Sequence, residues 1–258
     1  MIPRFIVKPG KIMAFTATVA LTLCNSAGYC QQKEVRRNNQ YWVGYMTSAT
    51  LSEKYALWND FHYVPEGFAL IRTGLTRNFG NAAVTGGYAF LWLPFGPDNH
   101  LKRHEHRPWG QAQFTIPTGR RTTFIQRIRY DARFRENISP GESDERFSLT
   151  HRVRSLSILK YPFGNTNNKL RPYASLSDEI MVNFGKEVTY NNFDQNRISI
   201  ALGIAGLHTQ YQLGLMSRYV QTGPSKFTIN NTLVLWVTQK FDFRRKPETI
   251  HSEKERAL

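Results

Sequence analysis

Arginine recurs at alternate positions in two stretches of the chain. Arg127, Arg129 and Arg133 flank Asp131, and Arg152 and Arg154 follow some twenty residues later. A guanidinium is a planar fork of donors that grips a carboxylate with two parallel bonds. Asp60, Asp131 and Glu179 are the acids that suit these arginines as partners. Such a set can close on itself as an ion-pair network, or it can line a constriction that favours carboxylate or phosphate solutes. Two further groups read as rim or loop motifs: Glu105-His106-Arg107 falls in a charged outer loop, and Asp194 and Arg197 with Glu179 form either a site at a rim or, more simply, a loop-anchoring ion pair.

Other chemistries find less support. His100, His104, Glu105 and His106 are close enough in sequence to converge on a metal ion. Lys102, Arg103 and Arg107 lie among them and repel a cation, so a solvated charged loop is expected, with no metal and no other cofactor. His62, His151 and His208 could serve a lipid hydrolase. No Gly-x-Ser-x-Gly elbow accompanies them, no glycine loop for phosphate and no Cys/His zinc spacing. No residue is assigned as catalytic.

Composition narrows the classes. The chain has 258 residues and a net charge of +15, and its 17 Phe, 12 Tyr and 5 Trp are too many large apolar groups for a solvated, disordered chain. Two cysteines cannot staple a chain of this length, and no apolar run is long enough for a transmembrane helix. The first thirty residues carry Arg4, Lys8 and Lys11, then the apolar stretch Ile12 to Cys24, then small residues around Gly28, with no acid. This is the order of a secretory signal, expected to be cleaved after Cys30. Its loss removes both cysteines and leaves 31 Lys+Arg against 19 Asp+Glu, a net charge of +12.

The remainder reads as strands. After a polar leader (31–40), eleven segments of about ten residues follow one another, most of them bounded by turn chemistry such as Asn78-Phe79-Gly80-Asn81 and Pro117-Thr118-Gly119. Each segment alternates. Phe124, Ile128, Tyr130 and Phe134 share one face, while Arg127, Arg129, Asp131, Arg133 and Arg135 share the other. Ile198, Ile200, Leu202 and Ile204 repeat the pattern, as do Leu233, Leu235 and Val237. A soluble sandwich or ligand-binding barrel would put the apolar face inside, and an outer-membrane barrel would turn it toward lipid. Three features favour the membrane barrel. The arginine faces repeat, as a shared lumen would require. Long polar connectors (Pro94–Arg107, Glu136–Arg146, Lys186–Asn196) alternate with short ones. Aromatics such as Tyr41, Tyr55, Tyr63, Trp92, Trp109, Tyr161, Phe184 and Phe241 fall near segment ends, where an interfacial girdle would lie.

Several phrases carry a family resemblance: Tyr88-Ala89-Phe90, Glu105-His106-Arg107-Pro108-Trp109, Arg127-Ile128-Arg129-Tyr130-Asp131, Asp178-Glu179-Ile180 with Asn183-Phe184-Gly185, and Asn192-Phe193-Asp194-Gln195-Asn196-Arg197. In order and spacing the chain resembles the bacterial domain-of-unknown-function family 2490 from about Tyr41 to Phe243. The resemblance implies an exported outer-membrane β-barrel of a Gram-negative bacterium, and it brings no activity, substrate or catalytic residue. The segment Arg244 to Leu258 runs past the last aromatic-ended strand, a departure from the usual barrel end.

The expectation is therefore all-β: a single antiparallel up-and-down transmembrane β-barrel over 41–243. Even parity gives about twelve strands, with ten as the alternative. A signal peptide (1–30) precedes the leader and a polar tail (244–258) follows the barrel. The expected role is structural or solute passage through an Arg-rich lumen. The alternatives are a lipid-acting outer-membrane enzyme and a soluble periplasmic barrel for a small ligand. Expected partners are outer-membrane lipid, lipopolysaccharide and anionic solutes. Nucleic acid is not among them, because the arginines alternate within strands instead of forming a surface patch.

Overall fold

Two-residue alternation builds the whole wall of the molecule. The computed structural model describes residues 33–65, 67–95, 101–119, 121–139, 142–164 and 169–244. The expected signal peptide, its two cysteines, His100 and the tail after Arg244 lie outside the described residues. Eleven strands close into one barrel: β1 (Glu34–Thr50), β2 (Tyr55–Val64), β3 (Phe68–Phe79), β4 (Ala82–Phe95), β5 (Leu101–Pro117), β6 (Thr123–Ser139), β7 (Glu142–Pro162), β8 (Arg171–Phe184), β9 (Phe193–Ala205), β10 (Thr209–Gln221) and β11 (Lys226–Asp242). No helix occurs among the described residues.

Each strand pairs antiparallel with the next, and β1 pairs in parallel with β11, from Glu34 opposite Lys226 to Thr50 opposite Asp242. The parallel seam accounts for the strand number. An all-antiparallel ring needs an even count, which pushed the expectation to twelve or ten. A ring with one parallel pair closes on an odd count, so the eleven segments legible in the sequence are the eleven strands.

Turns follow local chemistry. Gly80 adopts φ 68° in the two-residue link between β3 and β4, a conformation that side chains with a Cβ disfavour. Links between β1 and β2, β3 and β4, β5 and β6, and β9 and β10 are short, but the longer β7–β8 link (163–170) lies at the same mouth. At the other mouth the β2–β3, β6–β7 and β10–β11 links are equally short, so the expected alternation of short and long connectors is not found. At the other mouth two of the three expected long connectors are mostly wall: β5 starts at Leu101 and β6 runs to Ser139, with a bulge near Glu136 and Ile138. Polarity alone predicts loop there. In a barrel with a charged interior, polar residues at alternate positions belong to strands. β1 likewise begins at Glu34, inside the polar leader, where residues exposed on both faces are held by pairing with the start of β11.

The two faces are inverted relative to a water-soluble barrel. Ile198, Ile200, Leu202 and Ile204 of β9, Leu213 and Leu215 of β10, and Leu233 and Leu235 of β11 are all exposed on the outside. Arg129, Asp131, Arg133, Glu105, Arg152 and Glu179 are buried inside. The interior also holds apolar filling. Trp42, Val64, Met216 and Val234 pack with Phe68 and Trp236, and Leu70, Ala89, Leu91 and Trp109 pack with Trp58 and Leu93. Tyr173 fills the lumen nearer the mouth that carries the β7–β8 link, where a Cβ on Gly203 would lie 2.3 Å from its ring. Gly203 is thus the seat for that ring.

Candidate functional site

The candidate site is the lumen itself, and cross-strand register assembles it. Side chains on facing residues of one sheet face stand about 5 Å apart. Register sets Asp60 opposite Arg72, Asp131 opposite Arg152, Glu105 opposite Arg135, and Glu179 opposite Arg197.

Four carboxylates organise the arginines. Asp60 accepts two bonds from Arg72 Nε (3.1 and 3.2 Å) and one from Nη2 at 2.7 Å. Glu105, fully buried, takes Arg107 Nε at 2.9 Å, Arg133 at 2.8 and 3.1 Å, and Arg135 at 3.2 Å. Asp131 accepts from Arg152 Nε and Nη2 at 3.2 and 3.0 Å, and Arg152 reaches Asp194 Oδ2 with Nη1 at 3.0 Å. Glu179 takes Arg154 at 2.8 to 3.1 Å, Arg127 at 3.0 Å and Arg197 at 3.4 Å. Arg154 lies 3.8 Å from Asp131 and so links the last two groups. Glu105 and Glu179 each use both oxygens on arginines, the condition under which buried ions are tolerated, whereas Asp131 engages Arg152 through Oδ2 and its Oδ1 is buried without a hydrogen-bond partner.

Two lumen arginines have no carboxylate within ion-pair distance among the described residues. Arg129 donates Nε and Nη2 to Gln111 Oε1 at 3.0 and 2.6 Å, and its guanidinium lies 4.8 Å from the Trp109 ring centre. Arg218 donates to Gln40 Oε1 at 3.1 Å and lies 5.4 Å from Trp42. Tryptophan faces attract guanidinium groups, more strongly when both are desolvated. Among the described residues these ten arginines (the eight above, with Arg129 and Arg218) thus share the lumen with Asp60, Glu105, Asp131, Glu179 and Asp194, and Glu136 is a further buried carboxylate.

The eight residues expected in the lumen all lie there: Asp60, Arg127, Arg129, Asp131, Arg133, Arg152, Arg154 and Glu179. The rim group is distributed differently. Glu105 and Arg107 sit mid-wall in β5, facing inward and buried, not in an outer loop. Between them His106 faces outward and bonds the Tyr88 hydroxyl. Asp194 and Arg197 lie on β9 and join the lumen network through Arg152 and Glu179. Trp109, read from sequence as an interfacial aromatic, is a lumen residue, because β5 begins well before it.

Sequence reasoning missed Arg72, Arg218 and the inward tryptophans. Counting outward from the link at 65–67 would have set Asp60 against Arg72. Arg218 carries no such signal, since nothing acidic faces it. His62, weighed as a catalytic base, accepts the Trp42 indole N–H on Nδ1 at 3.0 Å, with Nε2 3.4 Å from Asp60. Both ring nitrogens are occupied, so it has no lone pair with which to deprotonate a nucleophile. His151 Nδ1 is hydrogen-bonded to the Tyr130 hydroxyl on the outer wall. Among the described residues no three His, Cys, Asp or Glu side chains converge as a metal would require.

These features define a class: a closed β-barrel with an ionic, tryptophan-lined interior and an apolar outer wall. The sequence matches the family model described as Protein of unknown function (DUF2490) over residues 39–228, and the chain belongs to that family. No curated protein and no solved structure matches it.

Proposed function

We propose that this chain is an outer-membrane β-barrel, exported by a cleaved signal, whose lumen is held shut to free flow by its arginine–carboxylate network. Its role is structural, or at most a narrow passage restricted to anions. The observation that carries this reading is the inversion of faces. A soluble protein seldom leaves a contiguous apolar area larger than a few hundred Å² in water. Here exposed aliphatic side chains run unbroken across β9, β10 and β11. Hydrocarbon around the barrel removes the cost of that surface, and the closed ring leaves no unpaired strand edge to meet lipid. Exposed aromatics support the same reading. Tyr55, Phe79, Tyr161 and Phe241 lie toward one mouth, and Tyr63, Trp92, Phe147 and Phe184 toward the other. The lumen charge balance favours anions over cations, and the filled interior argues against a wide aqueous pore.

Fractionation of expressing cells tests this. The protein is expected in the detergent-extracted outer membrane, with gel mobility that changes on boiling. Planar-lipid recordings should give conductance far below that of an open aqueous pore, with anions preferred. Recovery from the soluble periplasm without detergent would instead establish a soluble ligand-binding barrel.

A further inference from the structure

We propose that the lumen binds an oxyanion, a carboxylate or a phosphate group, between Arg197 and Arg218. This goes a step beyond the cation-rich interior just described, and it holds whether lipid or water surrounds the barrel. The two residues are direct partners in the β9–β10 ladder and share the inward face. Their guanidinium groups lie 5.0 and 5.4 Å from the same ring, that of Trp42. Like charges facing each other across strands are destabilising.

Other neighbouring arginines of this lumen converge on a shared carboxylate, as Arg107, Arg133 and Arg135 do on Glu105 and as Arg127 and Arg154 do on Glu179. Arg218 has no carboxylate within ion-pair distance among the described residues, and Arg197 has only a share of Glu179. Among the described residues Arg218 bonds the amide oxygen of Gln40, and its buried Nε has no hydrogen-bond partner. Arg197 bonds the amide oxygen of Gln195 at 3.0 Å. Its 3.4 Å contact is with Glu179, which Arg127 and Arg154 already hold more closely.

Neither side chain is fully enclosed. The Arg197 side chain keeps 14% of its surface exposed, and Arg218 is only partly buried. Two adjacent forks with spare donors fit a planar carboxylate or a phosphate, which bind guanidinium groups bidentately. The bound anion would supply the charge that the sequence omits at this pair.

The test uses the full-length barrel folded in detergent. Sodium phosphate, sodium acetate and sodium chloride are titrated at matched ionic strength, and the thermal midpoint and tryptophan fluorescence are followed. A ligand bound only by the folded state raises the midpoint as its concentration passes the dissociation constant. Phosphate or acetate should give a saturable rise that chloride does not. A response to one and not the other identifies the class of anion. Arg218→Gln should abolish the rise. In buffer without either anion it should unfold no earlier than the wild type, because the facing charges are gone. Arg218→Lys keeps the charge but loses the fork, and should raise the half-saturating concentration at least tenfold. No saturable response in the wild type overturns the proposal, as does an undiminished response in Arg218→Gln. Should Arg218→Gln not fold, an unchanged half-saturation in Arg218→Lys overturns it equally. Fractionation bears only on the membrane reading, so the two proposals fail independently.

Discussion

Glu105 shows what a single residue contributes to this lumen. It is fully buried and serves three arginines, from its own strand and from β6. Replacing it with Gln leaves those cations facing a neutral amide. Removing one partner of a buried pair typically costs about 3–5 kcal/mol. Glu105→Gln should therefore lower the urea midpoint of the detergent-folded barrel markedly. A shift equivalent to less than about 1 kcal/mol would mean that water, not Glu105, balances these arginines. Residues of this kind were legible in the sequence where charges repeat on alternate positions, as from Arg127 to Arg135. They were illegible where a lone charge sits among apolar neighbours. Arg72 lies between Ile71 and Thr73, and only its partner across the hairpin gives it meaning. The inward tryptophans were hidden for a related reason: an aromatic in a strand reads the same whether it faces lipid or lines a cavity.

At the level of elements, strand identity was legible and strand length was not. All eleven segments exist, because period-two alternation and glycine-bearing turns mark them. Their ends were misjudged wherever polarity was taken for loop, most of all in β5 and in the β6–β7 hairpin. That shortcut holds for water-soluble sheets, whose polar residues face solvent. It fails where the polar face is the enclosed one. The seam between β1 and β11 is the element-scale feature no local pattern encodes, since the two strands lie at the two ends of the chain. It can be tested by cross-linking. Ser48 faces Lys240 across the seam. Neighbouring strands about 4.8 Å apart suit a disulfide. In a chain expressed without residues 1–30, and so without native cysteines, Ser48→Cys with Lys240→Cys should form a bond that compacts the protein on a non-reducing gel. Ser48→Cys with Val234→Cys, same face but displaced along the strand, should not. Equal yields from the two pairs would mean the ring closes in another register or not at all.

At the level of the molecule, the two faces carry opposite tolerances. Ile200 is 62% exposed on the outer wall. An arginine there should impair insertion into lipid vesicles, because a lipid-facing cation near the midplane costs about 2–4 kcal/mol. Arg129→Glu, on the inner wall, should spare insertion and instead alter stability or conductance. If Ile200→Arg inserts as well as the wild type, the outer wall does not meet hydrocarbon.

The parallel seam carries one more consequence. An odd number of passes means the polypeptide enters the ring at one opening and leaves it at the opposite one. Labels fused ahead of Glu34 and behind Arg244 would therefore sit in different compartments if a bilayer encircles the barrel. Circular permutation through a short tether is likewise ruled out, because the two tips are separated by the full height of the cylinder.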